Sequence, residues 1–360
     1  MITASTLTRQ PDGSARTECW QSLLAQAITD PIELLQLLDL DPQLALPAHA
    51  ASAAGAAAFR LRVPRGFVQR MRRGDPNDPL LLQVLPGARE LIDQPGFSAD
   101  PLGERAAMRA PGLLHKYQGR ALLISTGACA VHCRYCFRRE FPYQAAGGEG
   151  GRWQAALEAI AADSSIEEII LSGGDPLSLS DARLTQLTRS LQAVPHLRRL
   201  RIHTRTPIVL PERVDAGLSH WLAGLPWPTV IVLHANHANE IDGAVRAAAL
   251  RLRATGATLL NQSVLLAGIN DSVDALQALS EALWSAQVLP YYLHLLDRVR
   301  ATAHFEVAEP RARALMAGLA ARLPGYLLPR LARESAGAPA KTVLASAQWD
   351  ALHSPRQVEC

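Results

Sequence analysis

The sequence predicts an α/β fold arranged as a partial (β/α)6 barrel, and three observations lead there. From residue 120 onward, short β-rich apolar runs alternate with longer segments of helical periodicity, the pattern of parallel strands joined by right-handed crossovers. Each run ends in polar residues capable of chemistry: TGAC, SGGD, HTRTP, HANH, NQS and LLD. A parallel barrel gathers the C-terminal ends of all its strands at one mouth. A doubly wound sheet would concentrate such groups at one switch point, and no GxGxxG follows the first strand.

The six runs are ALLIST (121–126), IEEIILS (166–172), LRIHT (200–204), TVIVLH (229–234), ATLLNQS (257–263) and VLPYYLHLLD (288–297). Helices are expected near 153–163, 181–193, 211–224, 239–255, 272–286 and 308–322. Residues 1–110 show no strand alternation. They hold two helical stretches, about 20–40 and 84–94, and an alanine-rich run, AASAAGAAAF, read as helix or linker. The expected organisation is an N-terminal helical cap region (1–110), a barrel (111–307) and a C-terminal segment (308–360).

The 36 basic residues of the 360 comprise 34 arginines and two lysines, Lys116 and Lys341. Against 33 carboxylates the net charge is +3, too small and dispersed to argue for a nucleic-acid or membrane surface. No run approaches the roughly 20 apolar residues of a membrane span, and the N-terminus lacks the apolar core of a signal peptide, so a cytoplasmic location is expected. Five cysteines, three of them within eight residues, do not make a secreted disulfide framework; Cys19 and Cys360 read as incidental thiols.

Cys129, Cys133 and Cys136 form CxxxCxxC in the loop after the first barrel strand. Arg134, Arg138 and Arg139 make that loop polar, which argues against buried structural thiols. A structural zinc wants four ligands, commonly in two pairs, and no second pair appears. Three thiolates without a fourth suit a [4Fe–4S] cluster with one open iron, able to take a small-molecule ligand. The spacing and its place resemble the radical S-adenosylmethionine (SAM) superfamily, and Ser172-Gly173-Gly174-Asp175-Pro176 resembles that family's glycine-rich second-strand motif. Glycine there lets backbone approach closely; alone, SGGDP reads equally as a strand-to-helix turn.

In a chain that uses arginine almost everywhere, Lys341 in GAPAKT is a candidate for work a guanidinium cannot do. An amine forms a Schiff base, and pyridoxal 5′-phosphate (PLP) is the cofactor that most often needs one. The strings GLLHKYQGRALLIST, CAVHCRYCFRR, LSGGDPL, RIHTRTPIVLPER, NQSVLL, PYYLHLLD and the GxPxKT loop together resemble the lysine 2,3-aminomutase family over roughly residues 60–345. The resemblance implies a barrel of the radical SAM type, with Cys129, Cys133 and Cys136 on the cluster and Lys341 on PLP. It implies that Asp297 and Glu334 receive the substrate ε-ammonium and that Arg138 pairs with its α-carboxylate. Tyr117 and Arg120 match a segment near PLP, the arginine suited to phosphate; Lys116 reads as a phosphate or surface cation. Gly173, Gly174, Asp175, His234 and Gln262 fall on motifs of the SAM side, and His234 reads equally as a structural histidine.

Two features differ from the free-lysine catabolic enzymes: Glu334 stands where they have aspartate, and the chain lacks their cysteine-bearing C-terminal extension. These, with FRREFPY and the LARE ending, resemble the shorter bacterial aminomutase that makes (R)-β-lysine for attachment to elongation factor P. The resemblance implies that SAM yields a 5′-deoxyadenosyl radical which takes hydrogen from C3 of L-lysine, the amino group then moving from C2 to C3. It also implies an external electron donor and a functional link to elongation factor P and its lysyl ligase. Two alternatives stand beside this reading: a free L-lysine 2,3-aminomutase giving (S)-β-lysine for catabolism or osmolyte synthesis, and a non-catalytic iron–sulfur or zinc-binding module.

Overall fold

The computed structural model describes residues 19–45, 59–144 and 153–345. Ten strands lie side by side in sequence order in one open sheet. They are β1 (Met108–Ala110), β2 (Leu113–Tyr117), β3 (Arg120–Thr126), β4 (Glu168–Gly173), β5 (Arg199–Thr204), β6 (Thr229–Leu233), β7 (Thr258–Val264), β8 (Leu289–His294), β9 (Arg330–Arg333) and β10 (Thr342–Val343). Strands β3 to β9 are parallel, and the antiparallel pairings β1–β2, β2–β3 and β9–β10 finish the two edges. The six expected runs are thus β3 to β8, a partial barrel, with four further strands at its margins. The extra strands are short and lie in segments without an alternating pattern long enough to read, as in the β2–β3 hairpin, which turns through Gln118-Gly119 with Gly119 at φ +76°.

The helices are α1 (Trp20–Ala25), α2 (Pro31–Leu37), α3 (Arg65–Val68), α4 (Gln154–Ala162), α5 (Asp181–Gln192), α6 (Thr206–Val209), α7 (Ala216–Ala223), α8 (Gly243–Ala254), α9 (Val273–Ser285) and α10 (Glu309–Ala320). Two begin later than periodicity alone suggests, because Asp215 and Asp242 cap them by accepting from the amides of Leu218 and Val245, each at 2.8 Å. The stretch expected helical over 20–40 is broken where Asp30 caps Pro31. That over 84–94 holds only the 3₁₀ turn Ala88–Leu91, since Pro86-Gly87 interrupts it. Most of the alanine-rich run, and Cys360, lie outside the described residues.

Alternation along the strands sorts the two faces. Leu123, Ile169, Leu171, Ile202, Ile231 and Leu259 point outward into one core with Leu184, Leu187, Val245 and Leu279 of the helices. The intervening residues, among them Ser172, His203, His234, Gln262 and Tyr292, line the concave side. A second core, around Leu34, Phe67 and Leu81, includes Ala130 and Val131. The N-terminal region is therefore packed against the cysteine loop itself.

Candidate active site

The loop leaving β3 carries Cys129, Cys133 and Cys136, each partly buried and none in a disulfide. It is held from both sides. On one, Glu90 accepts from Arg134 Nε at 2.8 Å and from Arg139 Nη2 at 2.7 Å, with all three side chains under 10% exposed. On the other, the turn after β4 is sewn to it, with Gly174 N donating to Thr126 O at 2.7 Å and Asp175 N to Ala128 O at 2.8 Å. Gly173 sits at φ +119°, where a Cβ would lie 2.6 Å from Thr126 O; at Gly174 a Cβ would lie 2.8 Å from the carbonyl carbon of Ala128. The glycines are thus required by close approach to the chain's own backbone.

Asp175 is buried and spends its carboxylate within the fold, accepting from Leu177 N and Thr204 Oγ1 on one oxygen and from Arg205 N and Thr206 N on the other. Arg205 extends from there to Cys133 Sγ at 2.7 Å, Tyr135 Oη at 2.6 Å, Gln83 Oε1 at 2.7 Å and Glu240 Oε2 at 2.9 Å. His234 stacks on Tyr135 and meets its hydroxyl at 2.8 Å, while burial and the nearby Arg205 charge press the His234 pKa down to about 3. Gln262 is partly buried in β7, paired in register with Tyr292 of β8.

The second half of the mouth is ionic. Lys341 Nζ donates to Glu334 Oε2 at 2.7 Å and lies 5.9 Å from the centre of the Tyr292 ring. Lys116 Nζ donates to Glu334 Oε1 at 2.9 Å and stands 3.3 Å from Glu104 Oε1. Glu104 in turn holds Arg138 through two 2.7 Å bonds. A row of alternating charge, Lys341, Glu334, Lys116, Glu104, Arg138, therefore runs across the open side of the sheet. Lys116 is largely buried within it, so it is not a surface cation. Burial works against ionised Glu334, but Lys341 and Lys116 outweigh it and hold its carboxyl well below the usual range.

Burial, with the Glu334 charge beside it, pushes the Asp297 carboxyl up to about 7, against the opposing pull of the two lysines. Asp297 has no ion-pair partner among the described residues and shares with Glu334 the wall of a cavity of about 700 Å³. Burial, with the Glu334 charge nearby, keeps the Tyr117 hydroxyl protonated far above the usual range. The Arg120 guanidinium lies 4.7 Å over the Tyr117 ring. Burial, then Lys341, drives His294 down to about 3, and burial, then Arg201 and Lys341, presses His203 well below the usual imidazole range, so both imidazoles are neutral.

The expected residues thus divide into a thiol side and a charged side at one mouth. Sequence reasoning gave no role to Glu90, Glu104, Glu240, Gln83, Tyr135 or Arg205. Only Arg205 and Tyr135 carried a signal, lying inside motifs already singled out; the others are single polar residues in the N-terminal region or in loops.

Among the described residues no three Cys, His, Asp or Glu side chains converge as ligands of one metal ion. The donor set instead fits a cubane, in which each thiolate takes a different iron. An open parallel barrel whose first parallel strand delivers three thiols, none in a disulfide, to its mouth defines an iron–sulfur enzyme of the radical SAM type. A family described as a 4Fe-4S single cluster domain matches residues 118–201. The L-lysine 2,3-aminomutase of Escherichia coli is 50% identical over 327 residues, 91% of this chain and 94% of the relative. That of Haemophilus influenzae is 47% identical over 91% and 95%, and that of Clostridium subterminale 34% identical over 79% and 68%. The chain belongs to the lysine 2,3-aminomutase family. It is an isomerase of the aminomutase type, and its cofactors are a [4Fe–4S] cluster, SAM and PLP. The reading as a non-catalytic module falls with that membership. No helix among the described residues is long and apolar enough to cross a membrane.

Proposed function

We propose that the enzyme converts L-lysine to (R)-β-lysine by moving the α-amino group to C3, and that the product serves the modification of elongation factor P. The observation that carries the substrate is the pair Asp297 and Glu334 on one cavity wall, Asp297 without a cation of its own among the described residues. A buried ammonium group needs anionic partners at fixed positions.

Cys129, Cys133 and Cys136 would hold the cluster, and Lys341 the PLP. Gly173, Gly174, Asp175, His234 and Gln262 stand on the side assigned to SAM. When bound, the cluster with SAM supplies a carbon radical that removes and returns hydrogen, and PLP supplies the covalent hold on the migrating nitrogen. Arg120, without an ion-pair partner among the described residues, is the cation free to meet the PLP phosphate, with Tyr117 beneath it; Lys116 already shares its charge between two carboxylates. Arg138 receives the α-carboxylate. Neutral His203 and His294 add no positive charge beside the Lys341 amine, which already shares Glu334 with Lys116.

The (R) product and the link to elongation factor P and its lysyl ligase, with an external electron donor, rest on the resemblance in FRREFPY, Glu334 and the LARE ending. Chiral chromatography of the product tests them: (R)-β-lysine is expected, and predominantly (S)-β-lysine refutes the assignment in favour of a catabolic or osmolyte-forming enzyme.

A further inference from the structure

We propose that Glu104 is a positioning residue that sets Arg138 to receive the substrate α-carboxylate, by closing one edge of its guanidinium and leaving a single Nη2 N–H of the other without an acceptor. The inference rests on the reading of Arg138 as the carboxylate receptor. Arginine offers five N–H donors on two usable edges. Glu104 takes the first edge, Nε to Oε2 and Nη2 to Oε1, both at 2.7 Å. On the second edge Nη1 reaches Ser172 Oγ at 3.0 Å and Gly173 O at 3.4 Å, and the remaining N–H of Nη2 has no acceptor among the described residues. Phe137 lies 4.8 Å from the guanidinium carbon and limits its tilt. One direction of approach therefore remains for a second carboxylate.

Glu104 is itself fixed. It is 3% exposed, and its amide donates to Asp100 Oδ1 at 2.8 Å in a turn where Asp100 also accepts from Arg105 N. Gly103 takes φ +62° in that turn, and a Cβ there would lie 3.3 Å from Ala336 Cβ, in the turn leading to Lys341. Burial pushes the Glu104 carboxyl up, but Arg138 and Lys116 outweigh it, so it stays ionised. Its charge also balances Arg138 against Lys116, which would otherwise stand near each other without an anion between them.

The test uses enzyme loaded with cluster and PLP, without reductant, titrated calorimetrically with L-lysine and with 1,5-diaminopentane, which keeps both amino groups and lacks the carboxylate. Glu104→Gln should weaken lysine binding roughly 10–100-fold, the loss expected when a charge-assisted contact is mispositioned, and leave diaminopentane within about twofold. Glu104→Asp keeps the charge and so the fold, yet draws the guanidinium back, and should show the same selectivity at smaller size. Equal weakening of both ligands means a merely structural role and overturns the proposal, as does unchanged lysine binding in either variant. Arg138→Gln separates the two ideas. If it binds lysine normally, the reading of Arg138 fails; if it weakens lysine selectively while the Glu104 variants do not, only the role of Glu104 fails.

Discussion

Lys341 and Lys116, the only lysines in the chain, are bound to opposite oxygens of one carboxylate, Glu334, at 2.7 and 2.9 Å. The same acid is proposed to receive the substrate ammonium. The chain's own two amines thus meet on the carboxylate proposed for the substrate's.

Replacing that acid by its amide should separate binding from assembly. Glu334→Gln removes the anion between two partly buried cations, a loss of about 2 kcal/mol, the low end for charge pairs of this kind. Lysine turnover is expected to fall at least thirtyfold through KM, while iron and sulfide content match the parent. Unaltered turnover would remove Glu334 from substrate binding.

Lys341→Ala should lower activity to background and abolish the absorbance of lysine-linked PLP. Lys341→Arg should do the same, because a permanently protonated guanidinium cannot form the bond. Spectra taken after gel filtration check this, and full PLP retention with normal absorbance would count against it.

The two acids give opposite pH dependences. Glu334, with its folded pKa below the unfolded value, contributes stability above the ordinary carboxylate range that is lost as pH falls. Asp297, raised to about 7, binds its proton more tightly when folded; its contribution is present at low pH and is lost between about 4 and 7. Asp297→Asn should therefore raise Tm more at pH 8 than at pH 5, while lysine affinity of the parent should decline as pH drops below about 7. Thermal scans and binding at the two pH values decide it.

Gly174→Ala would drive a Cβ into the carbonyl of Ala128, where only backbone could yield, displacing the cysteine loop. Iron incorporation should drop severalfold or more. At Gly243, in the first turn of α8, a Cβ meets nothing within 4 Å, so Gly243→Ala should leave iron unchanged and alter stability by no more than about 1 kcal/mol. Equal iron in both variants would contradict the close-packing argument.

The six central strands and their helices were legible because each buries one face, and burial writes a period into the sequence. CxxxCxxC and the rarity of lysine marked the chemistry for the same reason: those residue types are chosen by reactivity. What stayed hidden was partnership across distance. Glu104 has no motif around it, and nothing in its sequence neighbourhood states that it meets Arg138, 34 residues away. The glycines of SGGD signal a close approach, and the nearest protein atoms are Thr126 O and the backbone of Ala128. A turn signal does not say what approaches it.

The contact between Lys116 and Glu334 joins residues 218 apart in sequence, across the gap the sheet leaves open. Closing so long a loop costs chain entropy that no local contact returns, and contacts of this separation form late. The cysteine loop, by contrast, is bounded by adjacent strands. A partly folded chain could therefore present its three thiols before any lysine-binding site existed, which makes capture of PLP, rather than of iron, the sign that folding is complete.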